Sequence, residues 1–340
     1  MRRRVAVMLV LLLAVPLSTA PGAARQDAGP VQIVMVTFRG CEEACRGFQD
    51  YITSTDLDAV VEVRDIAGDS SLLPGIVVDL EADPPDLLVT WGTTVTVGLL
   101  GTIDDDSGAV HDIPAVFMIV ADPVGARVVE SREASGRPLV AGTFNRVPEE
   151  TQLRILAEYR PFRRLGLVYN DTELNAVLKA DEIRGIAEAQ GITVIERVIA
   201  VDAEGEPDPG DIVPAVADVV DRDIDFIYVG SSSFLLANAD LFTGAAVARG
   251  VGVVTPYEAM VRESNALLSV ATAYYGVGQL AGFQAYRILG EGATPGDLEI
   301  ASLDRFRVLV NIDTARAIGL FPPMLMLRYA EIVGAPLTTP

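Results

Sequence analysis

The chain has 340 residues, half of them apolar and 6% aromatic, with a formal charge of −21. That length suffices for two domains of roughly 100–200 residues each, and the charge repels nucleic acid and anionic membrane surfaces. Two cysteines and one histidine supply no Cys/His cluster for zinc and little for nucleophilic catalysis.

Residues 1–24 read as a secretory signal peptide. Arg2, Arg3 and Arg4 precede an apolar run from Val5 to Val15, then Pro16 and the small residues Ala20-Pro21-Gly22-Ala23-Ala24. The run falls short of the roughly 20 apolar residues of a membrane span. Cleavage is expected after Ala24, and loss of the three arginines takes the charge near −24. With no cysteine close behind the run, the expected product is soluble in the periplasm and carries no lipid anchor.

From Val31 onward one theme repeats: a short β-branched run, a polar or glycine-rich tip, then an amphipathic segment. Val31–Val36 ends at Thr37-Phe38-Arg39-Gly40, before a helical segment around Glu42–Ile52. Val60–Ile66, Leu87–Thr90 and Ala115–Val120 follow, the last two ending at Trp91-Gly92-Thr93-Thr94 and Ala121-Asp122-Pro123. Leu139–Phe144 leads to a second series, in which Leu165–Tyr169 ends at Asn170. The next helix carries Val177, Ala180, Ile183 and Ala187 on its apolar stripe, with Lys179, the only lysine, off it. Val194–Val198, Phe226–Val229, Val251–Thr255 and Leu267–Ala271 continue the pattern, with tips at Gly230-Ser231-Ser232-Ser233, Pro256-Tyr257-Glu258 and Thr272. A helical segment Gly276–Gly290 and a last strand Arg307–Asn311 close the chain. Buried apolar strands separated by helices predict parallel sheets, and two such series predict two doubly wound α/β lobes.

Cys41 and Cys45 form a disulfide candidate, provided that Cys41 lies in the loop before the helix rather than within it; the reduced pair stays open at this point. Catalytic patterns are missing. His111 sits in an acidic loop, the serine cluster has no Gly-x-Ser-x-Gly elbow, and Asp104-Asp105-Asp106 reads as solvated surface. Gly276-Val277-Gly278 lacks the third glycine of a dinucleotide fingerprint and suits helix packing instead. No catalytic residue, metal site or cofactor is expected.

Ligands of open α/β sheets bind beyond the carboxyl ends of the strands, so the tips are the site candidates. Thr93 and Thr94 offer hydroxyls and helix-start amides to a carboxylate, or cap the helix. Ser231, Ser232 and Ser233 offer the same in the second lobe. Arg39 suits an anion. Trp91, Phe38, Tyr257 and Tyr274 offer aromatic faces, while Thr37, Gly92, Asp122, Asn145, Tyr169, Asn170, Glu258 and Thr272 complete the candidate set.

Several stretches resemble a group of ABC-transporter substrate-binding proteins that includes members linked to tryptophan and tyrosine uptake. They are Ala121-Asp122-Pro123-Val124-Gly125, Ala141-Gly142-Thr143, Leu165-Gly166-Leu167-Val168-Tyr169-Asn170, Ala266-Leu267-Leu268-Ser269, Phe306-Arg307-Val308-Leu309-Val310-Asn311 and Ala315-Arg316-Ala317-Ile318-Gly319-Leu320-Phe321-Pro322-Pro323. The resemblance spans most of the chain, in order. It implies a type I periplasmic-binding fold with three crossovers, near Thr143–Arg146, Ala271–Ala273 and Ser302–Arg305. The first lobe would comprise residues 25–144 plus 273–302, and the second 145–272 plus 303–340.

The expected function is capture of a small organic solute, an aromatic or branched amino acid or another carboxylate, by hinge closure. A monomer would deliver the solute to an ABC permease in the inner membrane. A sensory module signalling to a membrane receptor is the alternative reading, and an exported α/β hydrolase a remote one.

Overall fold

The computed structural model describes residues 29–303 and 305–334. The expected signal peptide lies outside them. Two α/β lobes are present, each built on one sheet.

The first sheet takes β1 (Val31–Thr37), β2 (Ala59–Asp65), β3 (Leu87–Trp91), β4 (Ala115–Val120) and β5 (Val140–Phe144). Their order is β5-β4-β3-β1-β2, all parallel, with the late strand β11 (Ala301–Ser302) beside β5. The second sheet repeats this plan with β6 (Arg164–Tyr169), β7 (Thr193–Val198), β8 (Phe226–Tyr228), β9 (Gly252–Thr255) and β10 (Leu268–Ala271), ordered β10-β9-β8-β6-β7. Each of β3, β4, β5, β8, β9 and β10 is buried along its whole length. Helices covering both sheet faces require that pattern.

One expectation needs correction. The second sheet is not wholly parallel, because β12 (Arg307–Asn311) runs antiparallel to β10, with β13 (Glu331–Val333) beyond it. The chain reaches β12 from β11 in the other lobe, not through a βα unit, so no crossover helix forces the parallel direction.

The chain crosses between the sheets three times: after β5, after β10 and after β11. The second crossing leads into the helix Tyr274–Leu289, which packs on the first lobe against the helix Glu43–Ser54. Two glycines permit that contact. A Cβ on Gly47 would strike the Tyr275 carbonyl oxygen, and one on Gly278 would strike that of Ala44. The sequence signal Gly276-Val277-Gly278 is therefore a helix-packing device. Cys41 lies in the loop before the helix Glu43–Ser54 and is bridged to Cys45 in its first turn, with Cα atoms 5.1 Å apart.

Alanine is the better helix former by up to about 1 kcal/mol, but overpacking against rigid backbone costs about 1–3 kcal/mol. Gly47→Ala and Gly278→Ala are each expected to lower stability to urea by about 1–3 kcal/mol. Gly185→Ala, where a Cβ meets nothing within 4 Å, is expected to lose none.

Candidate functional site

In both sheets the strand order reverses between the first and third strands of the series, at β1/β3 and at β6/β8. Loops diverge at such a switch point and leave a crevice at the carboxyl ends of the strands. The two crevices face each other. Between them is a cavity of about 30 Å³, lined from the first lobe by Phe38, Arg39, Trp91, Gly92, Thr93, Thr94, Ile119 and Ala121. Asn175, Ser231, Ser233 and Tyr257 line it from the second lobe, and Asn145 and Tyr274 from the crossovers.

Among the described residues, Arg39 is the one ionic side chain on this lining. Its Nε donates to Glu42 Oε1 at 2.6 Å and its Nη2 to Glu42 Oε2 at 3.2 Å, and its guanidinium lies 4.9 Å from the Trp91 ring centre. Burial disfavours the charge, but hydrogen bonding and attraction to Glu42 outweigh it, and the pKa of Arg39 is raised. Three buried polar atoms on the lining have no partner among the described residues: Arg39 Nη1, Trp91 Nε1 and Asn145 Oδ1. Unpartnered groups of this kind are uncommon in folded proteins and point to a role beyond the fold.

Local backbone geometry shapes the lining. Gly92, with φ of 85°, turns the chain from β3 into the helix Thr93–Leu100, whose N-terminus has no side-chain cap. On β4 the pairing with β5 shifts between Phe117 and Val120, and Ile119 takes a φ of 58°. A β-branched residue in the left-handed region is strained by about 1–3 kcal/mol. Bulges of this type re-aim side chains next to binding sites, and here the bulge brings Ile119 onto the cleft.

A second cavity, of about 310 Å³, adjoins the first and shares Arg39, Tyr257 and Tyr274 with it. Glu258 and Thr272 line this chamber and not the first one, together with Glu42, Glu43, Arg46, Arg262 and Glu263. Burial raises the pKa of Glu258 against the attraction of Arg262 and Arg307. The Thr272 hydroxyl donates to the Asn145 carbonyl at 2.8 Å.

The remaining candidates sit elsewhere. The Thr37 hydroxyl donates to Asp65 Oδ1 at 3.3 Å. Tyr169 points to Glu196, with its hydroxyl 3.5 Å from Oε2. Asn170 and Ser232 bond each other at 2.6 Å, and Ser232 caps the helix Ser233–Ala237. Asp122 accepts from the Gly125 amide at 2.9 Å and lies 3.6 Å from Arg146. His111 is half exposed beside Asp106, at 3.7 Å. Among the described residues no group of three or more His, Cys, Asp and Glu is arranged to hold a metal.

Sequence reasoning missed a charged cluster beneath the crossover. Lys179 was placed off the apolar stripe of its helix; the structure corrects this, since Lys179 is 2% exposed, on the buried face with Ala176, Ala180 and Ile183. Its Nζ lies 2.8 Å from Glu149 Oε1 and 3.6 Å from Glu182 Oε2. Arg146 pairs with Glu149, its Nε 2.7 Å from Oε2, and with Glu182 and Asp122. Asn175, Ile119 and Ala121 were missed as well. Of these, Asn175 was accessible to reasoning, because it occupies the first turn of the helix that follows a candidate tip.

A family model described as ABC transporter substrate binding protein matches residues 31–333. A tyrosine-binding protein of Clostridioides difficile (strain R20291) is 27% identical over 213 residues, 62% of this chain and 59% of that protein. This chain thus aligns with less than two thirds of the length of that relative. An ABC domain from Streptococcus pneumonia, solved in complex with L-Trp, superposes with a TM-score of 0.76 at 22% identity, over 88% of this chain and 99% of that one. A ligand-free, open substrate binding protein with adhesive properties from Clostridium difficile gives 0.68 at 22% identity, over 89% and 99%. Both structures share the two-lobed fold. No described helix is long and apolar enough to cross a membrane.

Burial lowers the pKa of Lys179 to about 8, against the attraction of Glu149. An unfolded lysine titrates near 10.4. Between these values the unfolded chain holds the extra proton, so this group adds stability as pH rises from about 8 to 10.4, while below 8 its burial penalty is constant. Urea unfolding is expected to show the protein gaining roughly 1–2 kcal/mol over Lys179→Met between about pH 8 and pH 9.5. A difference independent of pH would mean that Lys179 stays charged throughout.

Proposed function

Because this chain belongs to the ABC transporter substrate binding protein family, we propose that it is the periplasmic solute-binding component of an ABC importer. The leader at residues 1–24 directs export, and the released chain works as a soluble monomer that hands its solute to an inner-membrane permease. No cofactor takes part.

One observation carries this reading above others. Tips from both lobes and two crossover residues line a single interlobe cavity that contains three buried, unpartnered polar atoms. Arg39 Nη1, Trp91 Nε1 and the uncapped start of the helix Thr93–Leu100 favour an anionic group. Phe38, Trp91, Tyr257 and Tyr274 favour a flat apolar body. The solute is accordingly a small carboxylate with an aromatic or branched apolar group, the class to which the ligand in the name of the Clostridioides difficile relative belongs.

The cavity of about 30 Å³ has room for one or two waters and not for such a solute. Entry therefore requires the lobes to part about the crossovers, and binding draws them together through contacts that the open form lacks.

A thermal-shift screen of residues 25–340, unfolded and refolded to strip carried-over solute, tests the reading. Amino acids, aromatic carboxylates, nucleosides and sugars form the panel. A solute at 100 times its Kd should add about 2.7 kcal/mol of stability, and stabilisation is expected only from carboxylates that carry an aromatic or branched apolar group, amino acids among them. Arg39→Gln should then weaken the best of them by about 2–5 kcal/mol in calorimetric titration. Stabilisation confined to sugars or nucleosides would refute the carboxylate assignment.

A further inference from the structure

The loop that carries Arg39 has few ties of its own. It leaves β1 at Thr37 and enters the helix Glu43–Ser54 after Glu42. Its ends are fixed: the Gly68 amide donates to the Phe38 carbonyl at 2.7 Å, and the Arg46 amide to the Glu42 carbonyl at 3.0 Å. Between these points no backbone hydrogen bond joins Arg39, Gly40 or Cys41 to another described residue. Gly40 takes a φ of 79°, a left-handed turn that glycine makes at no steric cost.

Arg39 is placed by Glu42 through two hydrogen bonds. Its side chain is 18% exposed and that of Glu42 34%. An ion pair that meets water to this extent contributes less than the ordering of a loop without backbone hydrogen bonds costs. The pair alone therefore does not account for a guanidinium fixed over the Trp91 ring.

The Cys41–Cys45 bridge supplies the missing constraint. Cys45 is fully buried in the first-lobe core that also contains Trp91, whereas Cys41 is exposed on the wall of the second cavity. The bridge ties the residue before Glu42 to the packed core that sets the Trp91 ring. Glu42 stands between the two cysteines in sequence, and its side chain makes no cap bond to the helix, so both oxygens stay with Arg39.

We infer that the Cys41–Cys45 bridge is a positioning element of the cleft: through Glu42 it holds the Arg39 guanidinium over Trp91, and the oxidised protein binds its solute more tightly than the reduced one. The statement on solute rests on the carboxylate-binding reading above; the placement of Arg39 does not.

Trp91 is the only tryptophan of the chain, so its fluorescence reports the guanidinium cover. Dithiothreitol, an uncharged dithiol, opens the bridge: it gives up two electrons and two protons and closes to a cyclic disulfide, while Cys41 and Cys45 become thiols. The double variant Cys41→Ala, Cys45→Ala removes the bridge without a reductant. The emission maximum is read rather than the intensity, because a nearby disulfide quenches indole emission. Opening the bridge is expected to move the maximum to longer wavelength in the wild-type protein. It should add nothing in Glu42→Gln, where the link to Arg39 is already cut. Calorimetric titration with L-tyrosine, L-tryptophan and L-leucine should follow the same pattern. Opening the bridge and Glu42→Gln should each weaken binding by about tenfold, and both together by no more than either alone.

An unchanged emission maximum overturns this inference, as do solutes bound equally by oxidised and reduced protein. Losses that multiply when both changes are made also overturn it, the bridge then serving stability alone. Each of these results leaves the carboxylate reading intact. The expected emission shift, with none of the three solutes bound by either form, overturns the carboxylate reading and leaves the placement of Arg39 standing. Reduced wild-type protein decides the matter even if the double variant does not fold.

Discussion

Charge that leaves water has to be paired, and in this chain the pairing runs across the lobe boundary. Arg146 stands just after the first crossing of the chain and is largely buried among Glu149, Glu182 and Asp122. Glu149 and Glu182 belong to second-lobe helices, whereas Asp122 belongs to a first-lobe tip. Lys179 supplies the second cation for Glu149. Removing one member of a buried pair typically costs about 3–5 kcal/mol, so the cluster strongly favours the arrangement in which all its members meet. Because Asp122 joins from the opposite lobe, at 3.6 Å, separation of the lobes lengthens that contact and returns it to water. The cluster thus ties the position of the lobes to the geometry of the cleft beside it.

The cleft follows from topology repeated twice. Both sheets reverse strand order next to their first strand, and each reversal opens a crevice at its tips. Three crossings of the chain hold the two crevices face to face. The helix Tyr274–Leu289 fixes the middle crossing to the first lobe, since its glycine contacts with the helix Glu43–Ser54 leave no room for sliding. Against this rigid frame stand the strained Ile119 and the unpartnered Arg39, Trp91 and Asn145 atoms. Strain and unsatisfied polarity are both unfavourable to folding, and their concentration in one small volume marks the place where the fold gives way to recognition.

The architecture was legible because it is written in local patterns. Fully apolar strands such as Ala115–Val120, followed by polar tips, announce parallel sheets whatever their order. Tips at Phe38–Arg39, Trp91–Thr94 and Ser231–Ser233 were reachable from the rule that ligands gather at strand ends, and the structure brings residues of all three into one lining. Lys179 was not reachable. Helical periodicity counts a lysine as a polar residue, and its partner Glu149 lies some thirty residues away in sequence, across the rest of a helix, a strand and two loops. Ile119 escaped because a left-handed φ in the middle of an apolar strand leaves no compositional trace. Tyr169, Thr37 and Asn170 show the opposite failure. They stand at strand ends, but their side chains turn to Glu196, Asp65 and Ser232, and strand position alone does not say which way a tip residue points.

Two lobes that close on a solute make the whole molecule more compact, and small-angle scattering measures that directly. Refolded protein stripped of solute would be compared with protein saturated by the tightest-binding carboxylate. A smaller radius of gyration with the carboxylate, and no change with a non-binding sugar, is the predicted result. Identical scattering curves from the stripped protein and from fully saturated protein would show that the lobes do not close on the solute.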